Sequence, residues 1–479
     1  MAKEKAKGIT VKKEDDMPEW YEQVVIKGEI AEHAPVKGCM IIRPSGFTIW
    51  QNIVDFFDAK IKKMGVKNAY FPMFIPEEFF HKEAEHASGF NAEVAWIERK
   101  GEDKGRYAIR PTSETIIYDS YAKWIRSWRD LPLRMNQWCN ICRWEVQDCK
   151  LFLRSREFLW QEGHCVYETE EECEKEALLY LEEYRKVAEE LLAMPVIKGR
   201  KTDKEKFAGA KTTYTIETLM PDGKALQLGT SHNLGQGFAK AFGIEFLGKD
   251  EKKHLPWQNS WGISTRMVGA TIMMHSDNKG LVLPPKVAPL QIVIVPILFD
   301  DTKDKVLKNC EEIVKSLKKY SVELDDREEY KPGWKFNEWE MKGVPLRIEF
   351  GPKDMENKQC VVARRDNGEK EFVKLKNLAS VVDKTLDDIQ KSLFNKAKKF
   401  MDDNTVEVNN WKDFEKAIKQ KKIIKVPFSC DLEDEEEIKF KTKGATSRAI
   451  PLDLKPPKDK KCFFSGKPAK DWVYFAKNY

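Results

Sequence analysis

Hydrophobic residues recur at helical spacing in two segments of the first third of the chain. In residues 46–66 the apolar positions follow the period of an amphipathic helix. These positions are Ile49, Ile53, Phe56, Phe57 and Ile61. A second helix is predicted over 113–128, where Pro111 and the hydroxyl residues Thr112 and Ser113 are typical of a helix N-terminus.

A third helix is predicted over 169–192, the longest periodic stretch in the first half of the chain. Its apolar stripe comprises Leu178, Leu181, Tyr184, Ala188 and Leu191. Glutamates fill many of the remaining positions, and a charge run of this kind is most simply a solvated face.

Residues 143–164 alternate instead with the period of β-strands, which predicts two strands joined by a loop around 147–150. On the first strand Arg143 and Glu145 share a face. On the second strand one face carries Phe158, Trp160, Glu162 and His164. Guanidinium, carboxylate, indole and imidazole groups on one surface favour the floor of a half-buried pocket, although a solvated amphipathic sheet is the alternative.

The same region contains cysteines that could hold zinc. Cys139 and Cys142 form a C-x-x-C, and Cys149, His164 and Cys165 are further N and S donors. However, residues 139–165 also hold three arginines, three glutamates and two tryptophans, which a zinc site does not use. Buried charges need partners, and arginines such as Arg154 and Arg156 suit phosphate, so the pattern favours a small amino compound beside a nucleotide.

The pattern of hydrophobic and polar residues changes after Pro289. Strand patterns at 291–298, 321–325, 345–350 and 360–364 and a helix at 303–319 predict a compact mixed domain. We therefore expect a polar leader at 1–18, a first domain at 19–288, a second at 289–402 and a smaller unit at 403–479.

Composition narrows the class of protein. Of 479 residues, 41% are hydrophobic and 34% charged, which is typical of a globular chain. The longest apolar run is too short to cross a bilayer, and we expect a soluble cytoplasmic protein. Ten cysteines without a dense framework suit a reducing compartment. A net charge of +5 permits a polyanionic partner without requiring one.

Four ordered strings then resemble one family. "RWE" followed by "LRSREFLWQEGH" resembles motif 2 of class II aminoacyl-tRNA synthetases, in the form that prolyl-tRNA synthetases use. "RPTSE" (110–114), "LGTSHNLGQGFAKAF" (228–242) and "SWGISTRMVGATIMMHSDNKGLVLPP" (260–285) resemble that family's other signatures, the last containing motif 3. The helix and strand that end at Pro72 resemble motif 1. The resemblance runs from about residue 19 to the end of the chain.

The resemblance implies an α+β fold. The class II catalytic domain is mainly an antiparallel sheet with flanking helices, followed by an α/β anticodon-binding domain and a small α/β C-terminal domain. It also implies a two-step reaction in a homodimer: proline attacks the α-phosphate of ATP, assisted by Mg²⁺, and the prolyl group then passes to the 3′ end of tRNA(Pro). Such chemistry depends on positioning and charge stabilisation.

The resemblance also implies roles for individual residues. Arg143 and Arg266 would be catalytic. The ATP-binding set would be Arg143, Glu145, Arg154, Phe158, Gln227, Thr230 and Arg266. The proline-binding set would be Thr112, Glu114, Arg143, Trp160, Glu162 and His164. Thr230 and His232 would meet the 3′ end of the tRNA.

Single residues keep simpler interpretations. Thr112 could be a helix cap, and Glu162 could pair structurally with an arginine. His232 or His275 could be an ordinary hydrogen-bonded histidine, which is the preferred interpretation for His275.

The segment 331–354 resembles the family's anticodon-reading segment. It implies that Lys335, Glu340 and Arg347 read guanine edges in an unstacked loop, and a solvated basic helix is the alternative for each of them. The terminal "KNY" implies that the carboxylate of Tyr479 turns back toward the catalytic domain.

Two features depart from relatives of other types. The interval between His164 and Ser260 is too short for the editing domain of bacterial-type relatives, so the chain resembles the archaeal and eukaryotic type, and mischarging with alanine or cysteine could escape editing in cis. That type often binds zinc through C-x4-C and C-x2-C. Here Cys430 is followed by Glu435 and Cys462 by Ser465, so we expect no tightly bound zinc.

Two other functions stay open at this stage. One is a sister class II synthetase for threonine, serine or histidine. The strings "PTSE" and "FLWQEGH" argue against it, because they resemble the prolyl pocket in detail. The other is a catalytically silent RNA-binding relative. Such a protein should have lost an ATP-binding arginine, whereas Arg143, Arg154 and Arg266 are all present.

Overall fold

The computed structural model describes residues 8–79, 94–98 and 105–479. The first seven residues of the expected leader lie outside these ranges. None of the helices in the described ranges is long and apolar enough to cross a membrane.

Helices and strands alternate irregularly along the described chain. The α-helices span Met17–Lys27, Pro44–Lys63, Glu114–Trp124, Glu170–Lys186, Gly237–Phe242, Arg266–His275, Lys303–Ser316, Pro332–Met341, Pro352–Glu356, Leu378–Asp403, Trp411–Lys419 and Leu432–Thr442. The strands up to residue 264 are β1 Ala31–His33, β2 Met40–Ile42, β3 Lys67–Asn68, β4 Phe74–Pro76, β5 Trp96–Glu98, β6 Arg106–Ile109, β7 Leu133–Cys142, β8 Glu157–Tyr167, β9 Ile197–Arg200, β10 Thr212–Leu219, β11 Lys224–Gly235, β12 Phe246–Leu247, β13 Lys253–His254 and β14 Trp257–Ser264. The later strands are β15 Ile292–Pro296, β16 Val322–Leu324, β17 Leu346–Phe350, β18 Gln359–Arg364, β19 Lys370–Lys374, β20 Thr405–Glu407, β21 Ile423–Phe428, β22 Ala445–Pro451 and β23 Asp471–Asn478.

One sheet of eleven strands joins the first and third units of the described chain. Its order is β20-β21-β23-β22-β9-β10-β11-β14-β8-β7-β3. The central pairs from β9 to β7 are all antiparallel. The strands of the C-terminal unit continue this sheet, since β22 pairs with β9. The predicted antiparallel class is therefore confirmed, and the third unit is joined edge to edge to the first.

Two of the predicted helices cover one face of this sheet. The helix Pro44–Lys63 buries Ile49, Ile53, Phe57 and Ile61, as its periodicity predicts. Phe57 stacks on Tyr184, whose centroid is 4.9 Å away and which belongs to the helix Glu170–Lys186. These rings lie in the largest hydrophobic core of the described residues.

Two of the predicted helices need correction, in their ends and in one apolar stripe. The second helix ends at Trp124, because Ile125 is extended, and a separate 3₁₀ turn follows at Trp128–Asp130. The third helix changes to a π-helical turn at Val187–Leu191. Its predicted stripe is also partly wrong, because Leu178 is 37% exposed. The buried side chains of this helix are Cys173, Ala177, Tyr180, Leu181 and Tyr184.

The second unit has its own sheet, ordered β16-β15-β17-β18-β19. The first three strands are parallel and the last two antiparallel, which fits the β/α alternation predicted from residue 291 onward. The helix Leu378–Asp403 packs its apolar face against this sheet and ends the unit.

Candidate active site

The cavity in the catalytic sheet is small and lined by charged side chains. It has a volume of about 250 Å³. The lining residues are Thr112, Glu114, Arg143, Trp160, Glu162, His164, Glu205, Phe207, Thr213, Gln227, Thr230, His232, Ser260, Trp261 and Gly262. Nine of these fifteen are predicted from the sequence, and the other six, Glu205, Phe207, Thr213, Ser260, Trp261 and Gly262, are not. Ser260, Trp261 and Gly262 lie on β14 opposite His164, Gly163 and Glu162, and only strand pairing reveals that proximity.

Strand β8 provides the floor of the cavity. The predicted alternation is confirmed for Trp160, Glu162 and His164, which project from one face of this strand. The partners of these residues on β7 are Cys139, Gln137 and Met135. Gln137 Nε2 donates to Glu162 Oε1 at 2.9 Å, so the neighbouring strand fixes the carboxylate.

Glu162 is the centre of a buried hydrogen-bond network. Its side chain is 4% exposed, and its Oε2 lies 3.1 Å from Nε2 of His164. The hydroxyl of Ser113 donates to the same carboxylate. His164 Nδ1 in turn lies 3.1 Å from the hydroxyl of Tyr118. Glu162 therefore pairs with a histidine, so pairing with an arginine does not explain its position.

This network sets the charges of its members. Burial acts to lower the pKa of His164, but the hydrogen bond to Glu162 and the charge of Glu114 outweigh it, and the net pKa is raised. Burial acts to raise the pKa of Glu162, but His164 and Ser113 outweigh it, and the net pKa is lowered. The pair is therefore an imidazolium beside a carboxylate when both are ionised.

The residues before the second predicted helix enter the site instead of capping the helix. Neither Thr112 nor Ser113 makes a side-chain capping bond at its N-terminus. The hydroxyl of Thr112 donates to Glu114, and that of Ser113 to Glu162. The interpretation of Thr112 as a helix cap is therefore wrong.

The predicted first strand of the floor is also wrong in its boundaries. Strand β7 ends at Cys142, so Arg143 and Glu145 lie in the loop 143–156 and do not share a strand face. Arg143 still reaches the cavity, and its guanidinium lies 5.8 Å from the ring centroid of Phe158 and 5.7 Å from that of Trp160. Burial lowers the pKa of Arg143, opposed by the charge of Glu145 and other carboxylates.

The cysteines of the C-x-x-C lie in the last four residues of β7. Cys139 belongs to the floor of the site: it accepts a hydrogen bond from Trp160 Nε1 at 3.2 Å and lies 3.4 Å from Glu162 Oε1. Cys142 is buried. Both cysteines therefore pack against other protein groups.

The far side of loop 143–156 is open. Arg154 and Glu145 are exposed, and a pair of backbone hydrogen bonds joins Arg154 to Lys150 at 2.7 and 3.0 Å. Arg156 turns away from the cavity, since its Nε donates to the carbonyl of Val146 at 2.9 Å. Of the two loop arginines that could grip phosphate, Arg154 is therefore the one that faces solvent.

Arg266 approaches the cavity from the first position of the helix Arg266–His275. Its guanidinium donates to the carbonyls of Leu153 and Gln227 at 3.2 and 3.3 Å. Burial and then the charge of Arg143 lower its pKa to about 10. The two guanidiniums repel each other, and an anion bound between them would relieve that repulsion.

A buried ion triad lies beside Arg266. Glu217 bonds to Lys201 Nζ at 2.6 Å and to Arg448 Nη2 at 2.9 Å. Burial acts to raise the pKa of Glu217, but these two cations outweigh it and lower the pKa. Arg448 belongs to the C-terminal unit, so that unit contributes a charge next to the catalytic cavity.

The opposite wall is formed by β10 and β11. His232 Nδ1 lies 2.9 Å from the hydroxyl of Thr213, and the ring of Phe207 lies 4.9 Å away, centroid to centroid. Burial and then the charge of His164 lower the pKa of His232 to about 3. Gln227, Thr230 and His232 thus line the cavity together, with a neutral imidazole among them.

Comparison with known proteins assigns this arrangement to a family. Residues 96–275 match the tRNA synthetase class II core domain (G, H, P, S and T), and residues 291–385 match an anticodon binding domain. Residues 411–479 match the C-terminal domain of prolyl-tRNA synthetase. The chain is 50% identical over 473 residues to "Proline--tRNA ligase 2" of Clostridioides difficile (strain 630), a match that covers 98% of this chain and 97% of the relative.

The chain belongs to the prolyl-tRNA synthetase family. Two further relatives have similar coverage. "Proline--tRNA ligase" of Alkaliphilus oremlandii (strain OhILAs) is 49% identical, over 97% of both chains. "Proline--tRNA ligase 2" of Bacillus thuringiensis subsp. konkukian (strain 97-27) is 48% identical, over 100% of both. Because each match covers nearly all of the relative, these bacterial relatives also have no room for a large insertion between motifs 2 and 3.

The residues that the family resemblance places at the anticodon lie together in the second unit, but they are engaged with other protein groups. Arg347 is 7% exposed and bonds to Glu349 at 2.9 Å and to Glu340 at 3.2 Å. Lys335 is 2% exposed, and its Nζ donates to the carbonyl of Asp325 at 2.8 Å. Lys335 therefore presents no exposed donor to an RNA base in this conformation.

The last residue of the chain docks on the catalytic domain through its side chain. The hydroxyl of Tyr479 donates to Asp222 Oδ2 at 2.7 Å. The ring centroid lies 5.5 Å from Nζ of Lys150 and 5.2 Å from that of Lys224. Tyr479 thereby contacts loop 143–156, which also carries Arg154.

Two of the four positions of the family's zinc site bond to other side chains of the protein. Glu435 accepts hydrogen bonds from Ser447 at 2.8 Å and Thr202 at 3.1 Å. Ser465 donates to Asp434 at 2.6 Å. Among the described residues, Glu114, Glu162 and His164 are the one set of His, Cys, Asp or Glu donors within 4.8 Å of each other.

Proposed function

We propose that this chain is a proline--tRNA ligase: it activates proline with ATP and transfers the prolyl group to the 3′ end of tRNA(Pro). The observation that carries the proposal is a cavity of about 250 Å³ in which a carboxylate pocket meets the buried guanidinium of Arg143. A second buried guanidinium, that of Arg266, lies at its edge, bonded to the carbonyl of the lining residue Gln227. The carboxylates suit a substrate ammonium, and the guanidiniums suit a carboxylate and a phosphate.

The amino end of proline would bind at Thr112, Glu114 and Glu162. These groups are buried, and the hydroxyl of Thr112 holds the carboxylate of Glu114. Trp160 and His164 would wall the pyrrolidine ring from the floor. A secondary ammonium donates two hydrogen bonds, which two fixed carboxylates can accept, so a pocket of this kind recognises the amine by charge and the ring by shape.

The carboxylate of proline and the α-phosphate of ATP would meet at Arg143. This side chain lies over Phe158 and Trp160, so it can reach the nucleotide side and the amino-acid side. Arg154 and Arg266 would bind the outer phosphates, Phe158 would stack on adenine, and Glu145 would orient the nucleotide. The attack of carboxylate on phosphorus gains from two fixed reactants and from cations aimed at the developing charge.

Mg²⁺ would accompany ATP. Gln227 lines the cavity beside Arg266, but its backbone carbonyl already accepts a hydrogen bond from that guanidinium. The Glu217 carboxylate is committed to Lys201 and Arg448. The ion would therefore be held mainly by ATP phosphates, whose charge it partly neutralises, as Mg²⁺ usually is in nucleotide sites.

Transfer to tRNA would take place at the wall formed by β11. Thr230 and His232 line the cavity opposite the proline pocket, and the low pKa of His232 keeps its imidazole neutral at physiological pH. A neutral imidazole can donate or accept a hydrogen bond at a ribose hydroxyl without bringing a charge.

The remaining units would serve the tRNA and a second subunit. Residues 289–402 would bind the anticodon through Glu340 and Arg347, with Lys335 as a further contact only if its bond to Asp325 opens. Residues 19–288 would form the dimer, for which the exposed aromatic residues Phe47, Tyr70 and Phe74 are suitable. Residues 403–479 would stabilise the catalytic domain.

We infer that the C-terminal unit needs no zinc. Two thiols, Cys430 and Cys462, remain where structural zinc sites have four N or S ligands, and Glu435 and Ser465 bond to other side chains. Metal analysis of protein purified without added zinc checks this inference. Stoichiometric zinc would contradict it.

Amino-acid-dependent exchange of pyrophosphate into ATP, measured with each of the twenty amino acids, tests the proposed function. Proline should stimulate exchange, while stimulation by another amino acid would indicate a sister synthetase, and silence a non-catalytic relative. Arg143→Ala should lower proline-dependent exchange by about 100-fold or more, since it removes a cation from the reacting groups. Arg129→Ala removes an exposed arginine and is the matched control.

A further inference from the structure

A large cavity outside the active site is strongly basic. It has a volume of about 1030 Å³ and lies between the segment 13–18, loop 143–156, the β10–β11 turn and the C-terminal unit. Nine lysines and five carboxylates line it, and we call it the lysine cleft. Like charges gathered around one cavity repel each other, so this arrangement calls for a polyanionic ligand.

Four of these lysines have no partner within the described structure. Lys419, Lys421, Lys443 and Lys477 are exposed, and their side chains make no hydrogen bond, ion pair or ring contact with any described residue. Lys419 and Lys421 lie at the end of the helix Trp411–Lys419, Lys443 follows the helix Leu432–Thr442, and Lys477 belongs to β23.

Three of the five carboxylates already have structural partners. Asp16 caps the helix Met17–Lys27, and Glu14 accepts from Asn278 at 3.1 Å. Asp222 accepts the hydroxyl of Tyr479 at 2.7 Å. The free ammonium groups therefore outnumber the free carboxylates, which leaves the cleft able to bind an anion.

Backbone conformation gives an independent indication. Lys421 and Lys443 have φ of 60° and 54°, in the left-handed region that favours glycine. Both follow the C-terminal ends of helices, where glycine is the usual residue. The chain keeps a long cationic side chain at two positions where a smaller residue would relieve the backbone, and strain of this kind concentrates at functional sites.

The lysine cleft is connected to the nucleotide side of the active site. It shares Lys150 and Lys224 with a second cavity of about 710 Å³, which Arg154 and Tyr479 also line. The ring of Tyr479 lies close to both shared ammonium groups. A chain of phosphates leaving the active site past Arg154 would therefore meet Lys150 and Lys224 first and the C-terminal lysines next.

We propose that the lysine cleft binds the phosphate backbone of the acceptor branch of tRNA while the 3′ end occupies the active site. This inference rests on the proposed function. Ammonium groups from several segments, spread around a large open cavity, match successive phosphates better than a single small anion. Lysine is a point charge that neutralises phosphate without reading a base, so the contact is independent of sequence.

Binding of two RNA fragments tests this proposal. One is a minihelix of the acceptor and TΨC stems of tRNA(Pro), and the other is its anticodon stem-loop, each measured by fluorescence anisotropy at several salt concentrations. The test variant combines Lys419→Gln, Lys443→Gln and Lys477→Gln. Because these side chains are exposed and unpartnered among the described residues, the substitutions remove charge without removing an intramolecular contact, and circular dichroism checks the fold.

The test variant should bind the minihelix about tenfold more weakly near 0.1 M salt, and the slope of log K against log [salt] should fall by roughly 2 to 3. Binding of the anticodon stem-loop should not change. Lys455→Gln with Lys458→Gln, two exposed lysines of the same unit outside the lysine cleft, is the matched control and should bind both fragments normally.

Two results would overturn the proposal: unchanged binding of the minihelix, or weakening of the anticodon stem-loop alone. Proline-dependent exchange without tRNA, measured on the unsubstituted chain, separates this failure from failure of the proposed function. If the unsubstituted chain exchanges with proline but the test variant binds the minihelix normally, only the role of the lysine cleft is rejected. If the unsubstituted chain shows no proline-dependent exchange, the proposed function is rejected.

Discussion

Two buried histidines of this chain have pKa values shifted in opposite directions, although both are removed from water. His164 is 2% exposed and has a raised pKa, because Glu162 holds its proton. His275 is 7% exposed, and burial lowers its pKa to about 4, since its partner is the neutral carbonyl of Leu192. The partner therefore decides the charge. The interpretation of His275 as an ordinary hydrogen-bonded histidine fits this geometry.

The raised pKa of His164 predicts a pH-dependent stability. Its contribution is fully present below the unfolded value of about 6.5 and is lost as the pH rises through the folded pKa. The difference in melting temperature between the unsubstituted chain and His164→Gln should therefore shrink as the pH rises from about 7 to about 9, measured by circular dichroism.

His275→Gln is the control for that measurement. Its folded pKa of about 4 lies below the unfolded value, so this histidine is neutral in both states throughout the measured range. The difference in melting temperature for His275→Gln should therefore stay constant. A constant difference for His164→Gln as well would contradict the prediction.

The last residue carries the second prediction at this scale. Deletion of Tyr479 should lower adenylate formation by about tenfold or more while leaving the fold intact, because the ring that supports Lys150 also positions the loop of Arg154. Proline-dependent exchange and circular dichroism measure the two quantities. Tyr479→Phe keeps the ring and loses only the hydrogen bonds of the hydroxyl, so it should retain most of the activity; unchanged kinetics in the deletion would contradict the argument.

At the scale of elements, strand β8 is the part of the site that alternation predicted best. Its one face supplies Trp160, Glu162 and His164, and its neighbours β7 and β14 are fixed by antiparallel registers on both sides. The helix termini and the loop were predicted less well. Thr112 and Arg143 have local sequences typical of a cap or a strand, but buried partners elsewhere in the chain determine where their side chains lie.

Close packing between β8 and β14 predicts the effect of one methyl group. A Cβ at Gly163 would lie 2.1 Å from the ring of Trp261, a rigid side chain that stacks on Tyr180 at 4.0 Å. Gly163→Ala should therefore cost about 3 kcal/mol or more, with a clear fall in melting temperature.

Gly237→Ala is the matched control for that substitution. No atom of the described structure lies within 4 Å of the added methyl group at Gly237, which begins a helix, so stability should change by less than about 0.5 kcal/mol. Equal melting temperatures for the two variants would show that the β8–β14 contact can relax.

At the scale of the whole molecule, the C-terminal unit is part of the catalytic fold. Strand β22 pairs with β9, and β23 also pairs with β11. Arg448 reaches Glu217, which is 231 positions earlier in the chain. The unit thus completes both a sheet edge and a buried charge.

Removal of that charge should destabilise the molecule. Arg448→Met removes one of the two cations that Glu217, which is fully buried, bonds to among the described residues, and loss of one partner of a buried ion pair costs about 3 to 5 kcal/mol. A fall of several degrees in melting temperature, measured by calorimetry, is expected. Lys455→Met removes an exposed lysine of the same unit and should leave the melting temperature unchanged. Equal melting temperatures for both variants would contradict the role of the triad.

The sequence by itself determined the elements whose chemistry is local. The period of two along 158–164 and the period of helix 46–66 depend on neighbouring residues, and the ordered strings from Arg110 to Pro285 predicted the family that the comparisons confirmed. The tertiary structure decided which charges are paired. The bond of Glu217 to Arg448 joins two units, and the contact of Cys139 with Glu162 joins two strands. No local pattern contains such contacts, because burial strengthens a charge interaction only after distant segments have excluded water around it.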